Sequence, residues 1–154
     1  MAIAQYRVFF DTSVYIAALI SPDGAAGELV RLVEAGAIRM IISQEVVIES
    51  DRVLAEKFPE LIQESRRLWK HLGPEIATEP QPSQIKPFLQ KLPKADAAIL
   101  CSAHLASVSA FVTWNTRDFM AQGVQSLVDF PIVIPAGCLT LFRKWIDPFL
   151  AGLG

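Results

Sequence analysis

The sequence predicts an α/β chain: a central, mostly parallel sheet with helices on both faces, a three-layer α/β/α sandwich. Three observations lead there. "YRVFF", "AIRMIIS", "AFVTW" and "FPIVI" are short apolar runs of the kind that strands buried on both faces require. Helical stretches of ten or more residues separate the main strands, which suits crossover connections in a parallel sheet. The size, 154 residues of which 52% are hydrophobic, is that of one ordinary domain with a real core.

Each element has a local reason. "YRVFF" combines aromatic and branched residues, and Asp11 closes it. "SVYIAALIS" reads as a helix that ends before Pro22. "DGAAGELVRLVEAG" is a clear helix, with Leu29, Val30 and Val33 as its apolar stripe, Glu28, Arg31 and Glu34 facing out, and Gly36 as the stop. "AIRMIIS" is the second strand, and Ser43 is placed to cap the helix "SQEVVIESDRVLAEKF". Pro59 ends that helix or starts the next, "PELIQESRRLWKHLG". The proline-rich "PEIATEPQPSQIKP" predicts an extended connection with one short strand around Ile76, and "IKPFLQKL" a short helix. "PKADAAILCSAHLAS" predicts a buried helix with Pro93 at its start, which places His104 in the core. The strand "AFVTW", a turn or short helix at "DFMAQG", the strand "FPIVI" and a closing helix "PAGCLTLFRKW" complete one domain over residues 1–146. Residues 147–154 read as a short tail.

Composition narrows the function. A net charge of -2 and a pI near 5.7 argue against a strongly basic nucleic-acid binder. They leave room for a nucleic-acid enzyme, because an acidic metal site itself lowers the charge. Cys101 and Cys138 lie far apart with no metal-binding spacing and read as small apolar residues. The N-terminus lacks a secretory pattern, so a cytoplasmic protein is expected. Residues 97–116 carry no charged side chain. Ser102, His104, Ser107 and Ser109 interrupt them, and a buried helix followed by a buried strand fits better than a membrane span.

Four acids stand where apolar residues surround them. Asp11 follows the first strand, at the sheet edge where parallel sheets bind ligands; alone, it reads equally well as a helix cap. Glu49 borders the stripe of Val46, Val47, Val53 and Leu54, while Glu45, Arg52 and Glu56 hold the solvated face. A rim carboxylate paired with a basic residue is its alternative. Asp96 sits in the first turn of the uncharged helix, with Ile99, Leu100 and Ala103 beside it, and a helix-terminal role is the plain reading. Asp118 lies just past "AFVTW" at the same edge as Asp11, in the company of Thr113 and Asn115. Together the four suggest one site. Close carboxylates repel unless a cation lies among them. A set of oxygen ligands without His or Cys favours Mg²⁺ or Mn²⁺.

"DTSV", "ISQEVVIESDRVL" and "KADAAILCSAHLASVSAFVTWNTRDF", in this order and spacing, resemble the motifs of PIN-domain proteins, in particular toxin ribonucleases of toxin–antitoxin pairs. The resemblance runs from "FFDTSVYIAAL" to "IVIPAGCLTLF". The family's metal-binding acids fall on Asp11, Glu49 and Asp96. At the fourth position members often read T-x-D-x-D-F, whereas this chain reads Thr113-Trp114-Asn115-Thr116-Arg117-Asp118-Phe119. Asn115 takes the commonest acidic place and Asp118 is the available acid.

The resemblance implies a flavodoxin-like sandwich and a Mg²⁺- or Mn²⁺-dependent endoribonuclease. It makes Asp11, Glu49, Asp96 and Asp118 both catalytic and metal-binding. Attack by a water in line with the scissile bond then leaves a 5′-phosphate and a 3′-hydroxyl. Ser13 and Thr113 are supporting residues that orient a carboxylate or the phosphate, with Asn115 beside them. Arg117 and Arg52 are candidates for RNA contact, and Trp114 for stacking on a base. The basic group Arg52, Lys57, Arg66, Arg67 and Lys70 also reads as an ordinary solvated face. The resemblance further implies an antitoxin partner and a homodimer. The apolar helices over "SVYIAALIS" and "ELVRLVEAG" and a mean hydropathy of +0.36 agree with the dimer. Two rival readings are a non-catalytic PIN-like binding module and a haloacid-dehalogenase-like phosphatase. The phosphatase needs a second acid two residues after Asp11, where this chain has Ser13.

Overall fold

Strands covered on both faces must be apolar throughout, and the sheet of this protein is built that way. In a computed structural model that describes residues 5–153, β1 (Tyr6–Phe10) and β2 (Ile38–Ile42) each bury four of five residues. Short strands β3 (Glu75–Ile76), β4 (Ala110–Val112) and β5 (Ile132–Val133) complete one sheet. Its order is β3-β2-β1-β4-β5 and every neighbouring pair is parallel. Helices cover both faces: α1 (Thr12–Ile20), α2 (Ala25–Glu34), α3 (Gln44–Lys57), α4 (Ile62–Leu72), α5 (Pro82–Ile85), α6 (Lys94–Leu105), α7 (Thr116–Phe119) and α8 (Pro135–Ala151). The α/β/α prediction therefore holds.

The strand order has one functional consequence. The chain builds outward from β1 to β2 and β3, then returns to place β4 on the other side of β1. The connections diverge there, leaving a crevice beyond the carboxyl ends of β1 and β4. The ladder continues into it: the Asp11 N–H donates to the Val112 carbonyl at 3.0 Å, and the Thr113 N–H to the Val133 carbonyl at 3.0 Å.

Local signals act as expected at several points. Ser43 caps α3 by accepting from the Val46 N–H at 3.3 Å. Gly36, just past α2, has φ +79°, a conformation that favours glycine. Gly27 permits a close approach, since a Cβ there would stand 1.8 Å from the Pro22 carbonyl oxygen. Tyr15, fully buried on α1, donates to the Ser65 carbonyl at 3.1 Å and stacks on Trp69 with ring centroids 3.7 Å apart. This ties α1 to α4 without stranding a buried phenol.

Other expectations need correction. The predicted strand "AFVTW" ends at Val112, which frees Thr113 and Trp114 for the crevice. "FPIVI" contributes only Ile132–Val133. The extended proline-rich segment does hold β3, but it also turns into α5, because Gln81 and Gln84 form a reciprocal capping box. "IKPFLQKL" makes a single 3₁₀ turn at Phe88–Gln90. Helix α8 runs on to Ala151, so most of the predicted tail continues the helix. His104 is exposed, not core: α6 is uncharged over most of its length, yet it buries Ala97, Ile99, Leu100, Cys101, Ser102 and Ala103 and turns His104 outward. The apolar surface expected to serve a homodimer is largely internal. Helix α1 buries Val14, Tyr15, Ile16, Ala18 and Leu19, which leaves Ile20 as its exposed apolar residue. Cys101 and Cys138 are free and buried, as expected. Among the described residues no helix is long and apolar enough to cross a membrane.

One ion pair had no counterpart in the sequence reading. Arg7 on β1 faces Arg39 in the register of the sheet, and like charges side by side destabilise a parallel pair. Glu75 on β3 resolves the conflict. It takes Arg7 in a two-pronged bond at 2.9 and 2.8 Å and approaches Arg39 at 3.9 Å. Glu75→Gln should lower stability by about 1 kcal/mol, the site being partly exposed. Gly27→Ala should cost about 2 kcal/mol through the clash with Pro22. Urea denaturation of both variants checks these values.

Candidate active site

The crevice is built from the residues that end β1 and β4. Asp11 leaves β1 as the first residue of the turn into α1 and is 3% exposed. It occupies the N-cap position, yet its side chain makes no capping hydrogen bond. Two hydroxyls donate to its Oδ2 instead, Ser13 Oγ at 2.8 Å and Thr113 Oγ1 at 2.8 Å. Each hydroxyl also accepts a backbone N–H: Ser13 Oγ that of Trp114 at 2.9 Å, and Thr113 Oγ1 that of Asn115 at 2.9 Å. The Asp11 pKa is raised, because burial outweighs the two hydroxyls and the N–H groups of Thr12 and Ser13, which act to lower it. Ser13 and Thr113 thus position a carboxylate.

Glu49 and Val53, one turn apart on α3, line the same cleft, as the helical spacing predicts. Asp96 joins them from the first turn of α6, where Pro93 holds the cap position. The cleft measures about 460 Å³, and its polar side is formed by Asp11, Ser13, Glu49, Asp96 and Asn115. Asp118 does not line the cleft. Asn115 binds it twice, donating from Nδ2 to Asp118 Oδ2 at 3.1 Å and accepting the Asp118 N–H at 3.3 Å. Asn115 therefore caps α7 and orients Asp118.

Asp96 senses all the others. Its pKa is raised to about 7, first by burial, then by a hydrogen bond with Asp118, then by the charges of Asp11, Asp118 and Glu49. The fold thus brings the four sequence-predicted acids into one electrostatic neighbourhood. Among the described residues, however, no three His, Cys, Asp or Glu side chains are gathered tightly enough to enclose an ion. Asp11, Glu49 and Asp96 share a cleft, not a point. Their donor chemistry suits a hard divalent cation: the acids supply only oxygen, and His71 and His104 lie outside the cleft.

Arg52 and Arg117 are exposed and do not line the cleft. No lysine lines it either, and Ser13 stands where a dehalogenase-like phosphatase needs its second acid. The cleft also includes Thr12, Ile16, Ala17, Ile20 and Trp114. Of these only Trp114 was singled out from sequence. Ile16, Ala17 and Ile20 lie at i, i+1 and i+4 in an apolar helix, so nothing distinguished them from core residues. Thr12 is buried with an Oγ1 that finds no hydrogen-bond partner among the described residues.

Fold and cleft together define an α/β/α domain with an acidic site at its switch point. The family profile of the PIN domain matches residues 7–117, and the chain belongs to the PIN-domain family. The matched span holds Asp11, Glu49 and Asp96 and stops one residue short of Asp118. Two solved structures are similar in fold. VapBC2 from Rickettsia felis, bound to a DNA fragment from their promoter, shares 14% identity at a TM-score of 0.62, over 82% of this chain and 96% of that one. PAE2754 from Pyrobaculum aerophilum shares 15% identity at a TM-score of 0.59, over 92% and 97%. No curated protein matches the chain.

The Asp96 carboxyl makes stability depend on pH. It keeps its proton to about pH 7 when folded and ionises near 4 when unfolded. Its contribution is therefore complete below about pH 4 and is lost as pH rises through 7. Without divalent cations, denaturation midpoints should decrease as pH rises from about 4 to about 7 in the parent chain. They should change less over that range in Asp96→Asn.

Proposed function

We propose that this chain is a Mg²⁺- or Mn²⁺-dependent endoribonuclease that hydrolyses RNA phosphodiester bonds, and that it is the toxin of a toxin–antitoxin pair. The observation that carries the reading is geometric: Asp11, Glu49 and Asp96, from three separate elements, line one cleft, an arrangement of like charges that a divalent cation relieves. Membership of the PIN family supports the nuclease activity. The likeness to VapBC2 supports an antitoxin partner.

Asp11, Glu49 and Asp96 would hold the ion, with Asp118 assisting. Such an ion, when bound, polarises a phosphoryl oxygen and lowers the pKa of a water. The protein's own groups do the rest. Ser13 and Thr113 fix Asp11 through Oδ2, so the carboxylate cannot turn away from the cleft. Asn115 holds Asp118 beside Asp96. One of these two carboxylates takes the proton of the attacking water. Arg52 and Arg117, both exposed, would meet more distant phosphates.

Incubation of structured and single-stranded RNAs with Mn²⁺ or Mg²⁺ tests the activity. Asp11→Asn and Asp96→Asn should each slow cleavage by about a hundredfold or more. Equal cleavage by the parent chain and both variants overturns the assignment. Thr113→Val keeps the shape but removes one hydroxyl from Asp11 and should weaken Mn²⁺ binding about tenfold by calorimetry.

A further inference from the structure

The charges of this chain are spread unevenly along it. Over residues 80–128 the only acids are Asp96 and Asp118, both placed at the site, while Lys86, Lys91, Lys94 and Arg117 are cationic. The whole chain has a net charge of -2, so this stretch is positive against an acidic background. Helices α3 and α4, by contrast, mix their signs. Arg52 has Glu56 one helical turn on, and Arg67 has Glu64 one turn back, a spacing at which opposite charges offset each other.

The fold gathers three of the cations at one edge of the cleft. Lys94 opens α6 two residues before Asp96, and Arg117 lies in α7 directly before Asp118. Asp96 and Asp118 hydrogen-bond to each other, so the two helices meet with a cation beside each carboxylate. Lys91 comes from the turn before α6, and its stem lies against Gly123, in the loop after α7. A Cβ at Gly123 would stand 3.2 Å from Lys91 Cε and 3.5 Å from its Nζ. Gly123, at φ +86°, holds a position that favours glycine and leaves room for that stem.

Lys91, Lys94 and Arg117 are exposed. Among the described residues none of them forms an ion pair, although site carboxylates follow Lys94 and Arg117 within two residues. A cation that stands beside an acid without taking it is available to another anion. Once a divalent ion neutralises the carboxylates, this edge presents only positive charge. Three exposed cations, strung from the turn before α6 to α7, suit successive phosphates of an RNA strand.

We propose that Lys91, Lys94 and Arg117 form a phosphate track that leads the RNA strand off the cleft over the α6–α7 edge, and that this edge outweighs the α3 face with Arg52 in holding the strand. The inference rests on the ribonuclease reading above. The three residues bind and position the strand and take no part in bond breaking.

Anisotropy titration of two short labelled RNAs of unrelated sequence, in Mg²⁺ and over a range of KCl, tests it. The titrations use the Asp11→Asn background, so that the strands stay intact. Lys91→Ala, Lys94→Ala and Arg117→Ala should each weaken binding about threefold at low salt, and the triple variant about thirtyfold. The slope of log affinity against log salt should fall by about two in the triple variant. The losses should be equal for the two RNAs, because phosphates carry no sequence. Lys94→Arg and Arg117→Lys keep the charge and should retain most of the binding. Arg52→Ala should cost less than Arg117→Ala, and Arg143→Ala, exposed on α8, should change nothing. Unchanged affinity and slope in the triple variant overturn the proposal. A loss of affinity with the slope intact also overturns it, since that marks a structural defect and not lost phosphate contacts. So does a larger loss for Arg52→Ala than for Arg117→Ala. Failure of the ribonuclease reading looks different: the track then binds RNA with the expected slope, yet the parent chain cleaves nothing in Mn²⁺ or Mg²⁺. If the Asp11→Asn chain binds neither RNA even at low salt, the track falls as well.

Discussion

Two hydroxyl groups on one oxygen of a buried carboxylate organise this site. Ser13 and Thr113 come from different elements, one from the first turn of α1 and one from the end of β4, and they meet on Asp11 Oδ2. That junction closes the crevice between the two connections. It also supports what lies beyond, since the hydroxyls accept the N–H groups of Trp114 and Asn115. Asn115 in turn holds Asp118. A carboxylate without those donors would be a poorly compensated buried charge, and burial alone would favour its neutral form. The clasp offsets part of that burial penalty.

The other acids are arranged less securely, and this has a physical reason. Each carboxylate added to a small volume raises the pKa of its neighbours. Asp96 absorbs the conflict because it is only half-buried and sits where Asp11, Glu49 and Asp118 all act on it. Local stability is sacrificed in a place suited to a divalent ligand, as functional sites commonly arrange. The conflict of Arg7 against Arg39, by contrast, is settled within the protein by Glu75.

Much of this was legible in the residues. Apolar strands separated by helices point to a parallel sheet, and the sheet edge locates Asp11. Helical spacing puts Glu49 on the rim of an apolar stripe, beside Val53, and both line the cleft. Thr113 and Asn115 stood out as polar residues at a strand end. The misreadings share one cause: a residue's chemistry does not reveal which neighbour it meets. An uncharged helix suggested a buried His104, yet one side of α6 faces solvent. An apolar α1 gave no sign of which neighbours it meets, and most of its apolar residues pack into the domain itself, with Ile20 left exposed.

The sequence by itself determined the layer architecture and the four acids, because periodicity and the cost of burying charge are local properties of the chain. Only the tertiary structure decided that β4 returns to the side of β1 opposite β2. That return brings Thr113 to Asp11, two residues 102 positions apart in the chain, and sets Trp114 between an acidic and an apolar cleft. Such pairings depend on which strands lie next to each other, and the order of strands in a sheet follows from global packing and not from any single segment.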